Sequence, residues 1–141
     1  MIKEGTIVIV EDDTDDIELL EKIIRELEIN NEIKCFDNTE EAYTYLAKTN
    51  DKIFIIFCDI EFPKKSGLQF KEKIDDTPHL REKSIPFIFY STWTKEKDVK
   101  EAYSKELSVQ GFFKKGNDYK EVKEQIKMIL DYWDDSVHPD T

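Results

Sequence analysis

The sequence predicts a doubly wound α/β domain, in which a parallel sheet is covered by helices on both faces. Short apolar runs rich in β-branched and aromatic residues alternate with longer segments whose apolar residues recur at helical spacing. The run Ile53–Cys58 contains only apolar residues and a cysteine, which is typical of a strand buried on both faces of a parallel sheet. Strands that alternate with helices form parallel β-α-β units with right-handed crossovers. We therefore expect a five-stranded parallel sheet with five helices.

The five predicted strands are short and are bounded by charged or turn-forming residues. They cover Thr6–Val10, Ile33–Phe36, Ile53–Cys58, residues 86–91 and residues 111–113. Pro86 lies at the start of the fourth strand, where a missing backbone N–H is tolerated.

The five predicted helices follow the strands, and each has apolar residues on one side. These residues are Ile17, Leu20, Ile23, Ile24 and Leu27 in the first helix, Ala42, Tyr45 and Leu46 in the second, Leu68, Phe70 and Ile74 in the third, Val99, Ala102 and Tyr103 in the fourth, and Tyr119, Val122, Ile126, Ile129, Leu130 and Trp133 in the last. Asp13, Thr14 or Asp15 can cap the first helix. Pro78 is expected to end the third helix.

Length and charge limit the class of protein. The 141 residues are expected to form one domain over residues 1–134, followed by a flexible tail over residues 135–141. The formal net charge of −11 argues against partners such as nucleic acid or anionic membranes, since both need a basic surface. No apolar run approaches the roughly 20 residues that span a bilayer. Cys35 and Cys58 lie in strand-like runs without a secretory signal, so we expect a cytoplasmic protein.

Charged and polar residues follow four of the predicted strands. Glu11 and Asp12 follow the first strand, Asp59 follows the third, Ser91 ends the fourth, and Lys115 follows the fifth. The carboxyl ends of parallel strands meet at one edge of the sheet, where ligands bind in open α/β folds. We therefore expect these five side chains to lie close together.

This set of residue types suits a divalent cation and a phosphoryl group. Clustered carboxylates repel one another unless a cation joins them, and oxygen ligands of this kind favour Mg²⁺. The backbone carbonyl of Glu61 could add a further oxygen. A cation, Lys115 and the Ser91 hydroxyl would together neutralise and bind a phosphoryl group that arrives at Asp59, and aspartate is a known covalent acceptor of phosphate.

Four motifs in this order resemble the response-regulator receiver domain of two-component signalling. They are Ile-Val-Ile-Val-Glu-Asp-Asp at residues 7–13, Asp-Ile-Glu-Phe-Pro-Lys-Lys-Ser-Gly at 59–67, Ile-Pro-Phe-Ile-Phe-Tyr-Ser-Thr at 85–92, and Gly-Phe-Phe-Lys-Lys-Gly at 111–116. Each motif alone is weak evidence, but all four at the expected strand ends are highly specific. The resemblance covers about residues 6–133 and implies a flavodoxin-like sheet with strand order 2-1-3-4-5.

The resemblance also implies a role for each site residue. Asp59 would accept phosphate from a phosphohistidine, and Mg²⁺ would be held by Glu11, Asp12, Asp59 and the Glu61 carbonyl.

On the same resemblance, Ser91 would hydrogen-bond the phosphoryl group and Lys115 would form an ion pair with it. Ser91 and Phe112 would act together as the conformational switch that a partner reads.

The sequence departs from the usual receiver pattern at several positions around the expected switch. Gly116 follows Lys115 where the family usually has a cis proline, and Ser108-Val109 stands where Gly-Ala is usual. The small residue that follows Ser91 in the family is Thr92 here. Trp93 is expected to shield the phosphoryl group from water and to slow its hydrolysis.

Several polar residues have simpler interpretations. Asp13, Asp15 and Asp16 are expected to be a helix N-terminal acidic cluster, which the helix dipole favours. His79 and His138 lie in polar surroundings and receive no role.

The sequence favours one of three classes of function. The favoured one is a stand-alone response regulator, not an enzyme beyond its own phosphorylation and dephosphorylation, and a monomer or weak dimer. Its partners would be a histidine kinase or histidine phosphotransfer protein and a downstream protein target. The alternative is a non-phosphorylated receiver-like interaction module. A haloacid-dehalogenase type of hydrolase fits poorly, because its acidic pair follows the first strand whereas Asp59 and Glu61 follow the third.

Overall fold

The computed structural model describes residues 3–92, 95–104 and 109–140. Trp93 and Ser108, which figure in the sequence analysis, lie outside the described residues. The strands are β1 (Thr6–Val10), β2 (Ile33–Phe36), β3 (Ile53–Cys58), β4 (Phe87–Ser91) and β5 (Gly111–Lys114). The helices are α1 (Thr14–Glu26), α2 (Thr39–Lys48), α3 (Gly67–Asp75), α4 (Pro78–Lys83), α5 (Glu96–Ala102) and α6 (Tyr119–Asp135).

The five strands form one parallel sheet in the order β2-β1-β3-β4-β5. This confirms the predicted fold class and strand order. Because β1 and β3 are neighbours and the connections leave toward opposite sides from there, the residues after these two strands face the same crevice.

The expectation of five helices is wrong, since the described residues contain six. Pro78 does end α3, but it also occupies the first turn of a separate short helix, where its missing N–H costs no hydrogen bond. Leu80 of this α4 is 1% exposed and packs into the core. Burial of one leucine therefore stabilises a helix too short to show a periodic pattern in the sequence.

Two apolar layers cover the two faces of the sheet. Successive side chains of a strand point to opposite faces, so Ile7 and Ile9 of β1 belong to one layer and Val8 and Val10 to the other. The central strand β3 is buried at every residue. The apolar runs that predicted the strands thus supply both layers of the core.

Polar side chains fix the starts of the helices that follow the site strands. The Asp13 carboxylate caps α1 by accepting the N–H groups of Asp15 and Asp16. Ser66 and Gln69 form a reciprocal capping box at the start of α3. These caps determine where α1 and α3 begin relative to the site strands.

At the amino edge of the sheet, the two ends of the described chain are joined by hydrogen bonds that we call the amino-edge clasp. The Lys3 ammonium group donates to the carbonyls of Asp134 and Ser136, and the Asn31 amide donates to Lys3 and Gly5. His138 is 3% exposed and its Nε2 lies 2.9 Å from the Phe54 carbonyl oxygen. The sequence indicated polar surroundings for His138, whereas the structure buries its ring against Phe54.

The domain boundary at residue 134 and the flexibility of the tail stay predictions. The α6 helix continues to Asp135, and the following residues carry His138 back to the sheet. No helix among the described residues has the length and apolar character needed to cross a membrane.

Candidate functional site

The structure brings three carboxylates together at the carboxyl edge of the sheet. Glu11 and Asp12 follow β1 directly, and Asp59 follows β3. One oxygen from each of these side chains lies within 4.8 Å of the other two. Glu11 is buried, Asp59 is half-buried and Asp12 is exposed. The adjacency of β1 and β3 in the sheet is what positions this cluster.

The loop after β3 holds Asp59 tightly. The Asp59 backbone N–H donates to the Val10 carbonyl at 3.0 Å, and the Ile60 N–H donates to Asp59 Oδ1 at 2.7 Å. Gly67 closes the loop with its N–H on the Ile60 carbonyl at 2.7 Å. A Cβ on Gly67 would lie 2.1 Å from the Asp59 carbonyl oxygen, so only glycine permits this close approach.

Lys115 lies among these carboxylates after β5. Its Nζ is 2.5 Å from Glu11 Oε1, 3.1 Å from Asp16 Oδ2 and 4.0 Å from Asp59 Oδ2. Asp16 lies in the first turn of α1, as the sequence indicated, and its carboxylate also reaches Lys115, which the sequence did not indicate. One ammonium group is therefore shared among three carboxyl groups.

Burial and crowding change the ionisation of the buried pair. The pKa of Glu11 is raised to about 8: burial is the largest cause, the hydrogen bond with Asp59 acts in the same direction, and Lys115 acts in the opposite direction. For Lys115, burial lowers the pKa, but the hydrogen bond and charge of Glu11 together with the charge of Asp59 outweigh burial, so that the pKa is raised overall. The shift of Glu11 thus reflects burial first, whereas the shift of Lys115 reflects the carboxyl groups around it.

Ser91 and Glu61 line the open side of the same cleft. Ser91 is the last residue of β4 and is 1% exposed. Its carbonyl accepts the Lys115 backbone N–H at 2.9 Å, which connects β4 to the residue after β5. A cleft of about 270 Å³ is lined by Glu11, Asp12, Asp13, Asp16, Asp59, Glu61, Ser91 and Thr92. The Glu61 carboxylate faces Lys95, with 3.7 Å between charged atoms.

Phe112, the expected switch residue, lies on β5 and is half-buried. Its ring centroid is 5.6 Å from that of Phe89, so it packs against the core. The peptide bonds of the described residues are all trans, including the bond between Lys115 and Gly116.

Gln125 of α6 fastens the backbone on both sides of Lys115. Its Oε1 accepts the Gly116 N–H at 2.9 Å and the Tyr90 hydroxyl at 2.5 Å, and its Nε2 donates to the Lys114 carbonyl at 2.7 Å. The pattern of polar residues at strand ends does not point to Gln125. Its signal is weak: a polar residue stands three positions after Val122, at the border of the apolar stripe of α6.

The carboxylate cluster fits a hard divalent cation. It offers only oxygen donors, two from adjacent residues after β1 and one after β3, and it opens into a solvent-accessible cleft. Mg²⁺ typically takes one or two carboxylates and keeps several waters, for which such a cleft leaves room. Burial of Glu11 and the proximity of Asp59 both disfavour the charged form of this side chain, and a bound cation would offset that cost.

Comparisons with known proteins agree with this geometry. The sequence matches the family described as response regulator receiver domain over residues 7–127. Comparison with curated protein sequences finds no match.

Three solved structures illustrate the structural likeness. The phosphorylated cyanobacterial phytochrome response regulator RcpA is 25% identical, with a TM-score of 0.82 over 93% of this chain and 94% of that chain. The Mn²⁺-bound form of response regulator Rcp1 is 25% identical, with a TM-score of 0.81 over 94% of this chain and 96% of that chain. A response regulator receiver domain from Rhodospirillum rubrum is 23% identical and shares the fold, with a TM-score of 0.81 over 96% and 98% of the two chains.

The strand order, the acidic cluster after β1 and β3, and the family match over residues 7–127 all agree. The chain belongs to the response regulator receiver domain family.

Proposed function

We propose that the protein is a phosphorylation switch in which Asp59 accepts a phosphoryl group from a phosphohistidine donor. The observation that carries this proposal is the position of the Asp59 carboxylate, which lies beside two further carboxylates and within 4.0 Å of the Lys115 ammonium group. A nucleophile, a cation site and a neutralising lysine therefore lie within one cleft. The phosphorylated state of RcpA and the Mn²⁺-bound form of Rcp1 support the same chemistry in similar structures.

Each residue has a defined part in the transfer. An Asp59 carboxylate oxygen forms the new bond to phosphorus while the bond from phosphorus to the donor imidazole nitrogen breaks, and the electron pair stays on that nitrogen. Lys115 provides positive charge for the phosphoryl oxygens, and the Ser91 hydroxyl donates a hydrogen bond to one of them. Bound by Glu11, Asp12, Asp59 and the Glu61 carbonyl, Mg²⁺ would neutralise charge on the group being transferred.

The phosphorylated state would be read by another protein. Movement of Ser91 toward the phosphoryl group leaves space behind it, and Phe112 on the adjacent strand β5 would turn inward to fill that space. A histidine kinase or histidine phosphotransfer protein would supply the phosphoryl group. The signal would leave by protein contact or by onward phosphotransfer, and the chemistry of the chain would stop at its own phosphorylation and dephosphorylation.

The test is phosphorylation of the full chain by acetyl phosphate with and without Mg²⁺, followed by intact-mass measurement. We expect one added phosphoryl group in the presence of Mg²⁺ and none in Asp59→Asn. Asp37→Asn is the matched control, because Asp37 also follows a strand at this edge but is exposed and outside the carboxylate cluster. Asp37→Asn should react like the unaltered chain.

Two results would contradict the proposal. If neither Mg²⁺ binding nor phosphorylation occurs, the non-phosphorylated interaction module is the better description. Repeated turnover of an added phosphomonoester, without a lasting modification of Asp59, would indicate a hydrolase instead.

A further inference from the structure

The Lys115 ammonium group lies closer to Glu11 and Asp16 than to Asp59, the proposed phosphoryl acceptor. Its Nζ lies 2.5 Å from Glu11 and 3.1 Å from Asp16, but 4.0 Å from Asp59. The lysine side chain is 11% exposed. It therefore rests on the α1 side of the cleft, and a phosphoryl group on Asp59 must attract it from there.

Asp16 differs from the other acidic residues in the first turn of α1. Asp13 caps the helix and Asp15 is exposed, whereas Asp16 is half-buried and reaches Lys115. The Asp13 cap also accepts the Asp16 backbone N–H at 3.3 Å. The Asp13 cap thus fixes the first turn of α1, and Asp16 lies in that turn beside the lysine.

Asp16 lies outside the group of three mutually close carboxylates in the described part of the chain. A divalent cation held by that group would bind Glu11. Among the three carboxyl groups near Lys115, Glu11 makes the shortest contact with the ammonium group. Asp16 would then remain as the carboxylate that binds Lys115 without also binding the cation. A phosphoryl group on Asp59 would compete with Asp16 for the same ammonium group.

We propose that Asp16 is a positioning residue that restrains Lys115 on the α1 side of the site and competes with the phosphoryl group for it. This inference rests on the proposed function of Asp59. Asp16 thereby sets how readily the site passes from the unmodified to the phosphorylated state. Loss of its charge should release Lys115 toward Asp59 and favour phosphorylation.

The test is a cycle of variants measured by single-turnover phosphorylation with acetyl phosphate at saturating Mg²⁺. Asp16→Asn should react about fivefold faster than the unaltered chain, which is the size expected for a partly exposed ion pair. Asp16→Glu should return the rate toward that of the unaltered chain. In the Lys115→Ala background, Asp16→Asn should have no further effect, because its action passes through the lysine.

Asp15→Asn is the matched control, since it removes the same charge from the same helical turn without touching Lys115. A gain of equal size in Asp15→Asn, or a gain that persists in Lys115→Ala, would overturn the inference and indicate a general charge effect. No change or a slower reaction in Asp16→Asn would also overturn it.

A spectroscopic measurement tests the restraint without phosphorylation. The ¹⁵N signal of the Lys115 ammonium group should show faster proton exchange with water in Asp16→Asn than in the unaltered chain or in Asp15→Asn. Equal exchange in all three would show that Asp16 does not hold the lysine. If the unaltered chain takes up no phosphoryl group, the proposed function and this inference both fail. If the unaltered chain is phosphorylated and Asp16→Asn matches Asp15→Asn, only this inference fails.

Discussion

At the amino edge of the sheet, polar side chains bind backbone carbonyls, whereas at the carboxyl edge charged side chains bind one another. In the amino-edge clasp, Lys3, Asn31 and His138 each have carbonyl oxygens as partners. At the opposite edge, Glu11, Asp16 and Asp59 surround Lys115. The side-chain donors of the first arrangement have neutral acceptors, while in the second three carboxyl groups share one ammonium group.

This difference distinguishes a structural edge from a functional one. Hydrogen bonds from side chains to backbone carbonyls stabilise the folded chain in any solution condition that keeps the donors intact. Crowded carboxylates oppose folding unless a cation or a proton offsets their repulsion, and perturbed ionisation of this kind is typical of functional sites. Removal of a polar side chain should therefore lower stability at the amino edge, whereas removal of a carboxylate at the carboxyl edge should lower Mg²⁺ affinity without lowering stability.

The largest effect is expected for Gly67→Ala, which tests whether the backbone at the carboxyl edge is as tightly fitted as the rest of the fold. The added Cβ would meet the Asp59 carbonyl oxygen at 2.1 Å, so the loop must move. We expect a loss of about 3 kcal/mol in the free energy of unfolding, measured with urea, together with weaker Mg²⁺ binding.

The matched control for this substitution is Gly116→Ala, whose Cβ would lie 2.6 Å from Glu121 Cβ, away from Asp59. It should also destabilise the fold but leave more of the Mg²⁺ affinity. Equal loss of Mg²⁺ affinity in both variants would show that the defect is general rather than local to Asp59.

A smaller loss is expected for His138→Ala at the amino edge. The ring is buried against Phe54 and its Nε2 lies 2.9 Å from the Phe54 carbonyl oxygen. Loss of this contact and of the packing should lower the free energy of unfolding by about 2 kcal/mol without changing Mg²⁺ affinity.

His79→Ala is its control, because His79 also faces a backbone carbonyl, that of Ala47, but is exposed. It should cost no more than about 0.5 kcal/mol. If His138→Ala changes Mg²⁺ binding as strongly as it changes stability, the two edges of the sheet are coupled and do not have separate roles.

Removal of charge at the carboxyl edge should affect function more than stability. In Asp12→Asn one of three close carboxylates becomes neutral, so repulsion falls while a cation ligand is lost. Without Mg²⁺ the free energy of unfolding should stay within about 0.5 kcal/mol of the unaltered chain or rise. Mg²⁺ affinity, measured by calorimetry, should fall by at least about tenfold.

Asp15→Asn should leave Mg²⁺ affinity nearly unchanged, because Asp15 lies outside the cluster. A clear loss of stability in Asp12→Asn without Mg²⁺ would show that Asp12 stabilises the fold, contrary to the difference expected between the two edges of the sheet.

The residues that the sequence predicted well are those determined by local pattern. Apolar runs located all five strands, and polar residues at the carboxyl ends of four of them located Glu11, Asp12, Asp59, Ser91 and Lys115. Both signals depend on the alternation of strand and helix and on the rule that parallel strands end at one edge. The carboxyl edge could therefore be read almost completely from sequence.

The residues that the sequence missed depend on contacts between distant parts of the chain. His138 binds a carbonyl 84 residues earlier, and nothing in its polar neighbours indicates burial. Asp16 has the same chemistry as Asp13 and Asp15, and only the rotation of α1 about its axis decides which of them faces Lys115. α4 was missed because Pro78 is both a helix terminator and a favoured first-turn residue.

The smallest effect is expected for Tyr90→Phe. The Tyr90 hydroxyl lies beside the site but, like the side chains at the amino edge, it donates a hydrogen bond to a neutral oxygen. The acceptor is Gln125, and burial raises the pKa of Tyr90 to about 12, although Gly116 and Lys115 lower it. Because the folded-state pKa lies above the ordinary value of 10, the neutral Tyr90 hydroxyl makes its full contribution to stability below about pH 10. This contribution is then lost as pH rises toward 12. The difference in free energy of unfolding between the unaltered chain and Tyr90→Phe should accordingly be constant from pH 7 to 9 and fall above pH 10. A phenolate absorbance near pH 10 that is smaller in Tyr90→Phe than in the unaltered chain would show instead that Tyr90 ionises at its ordinary pKa and that burial does not keep its hydroxyl neutral.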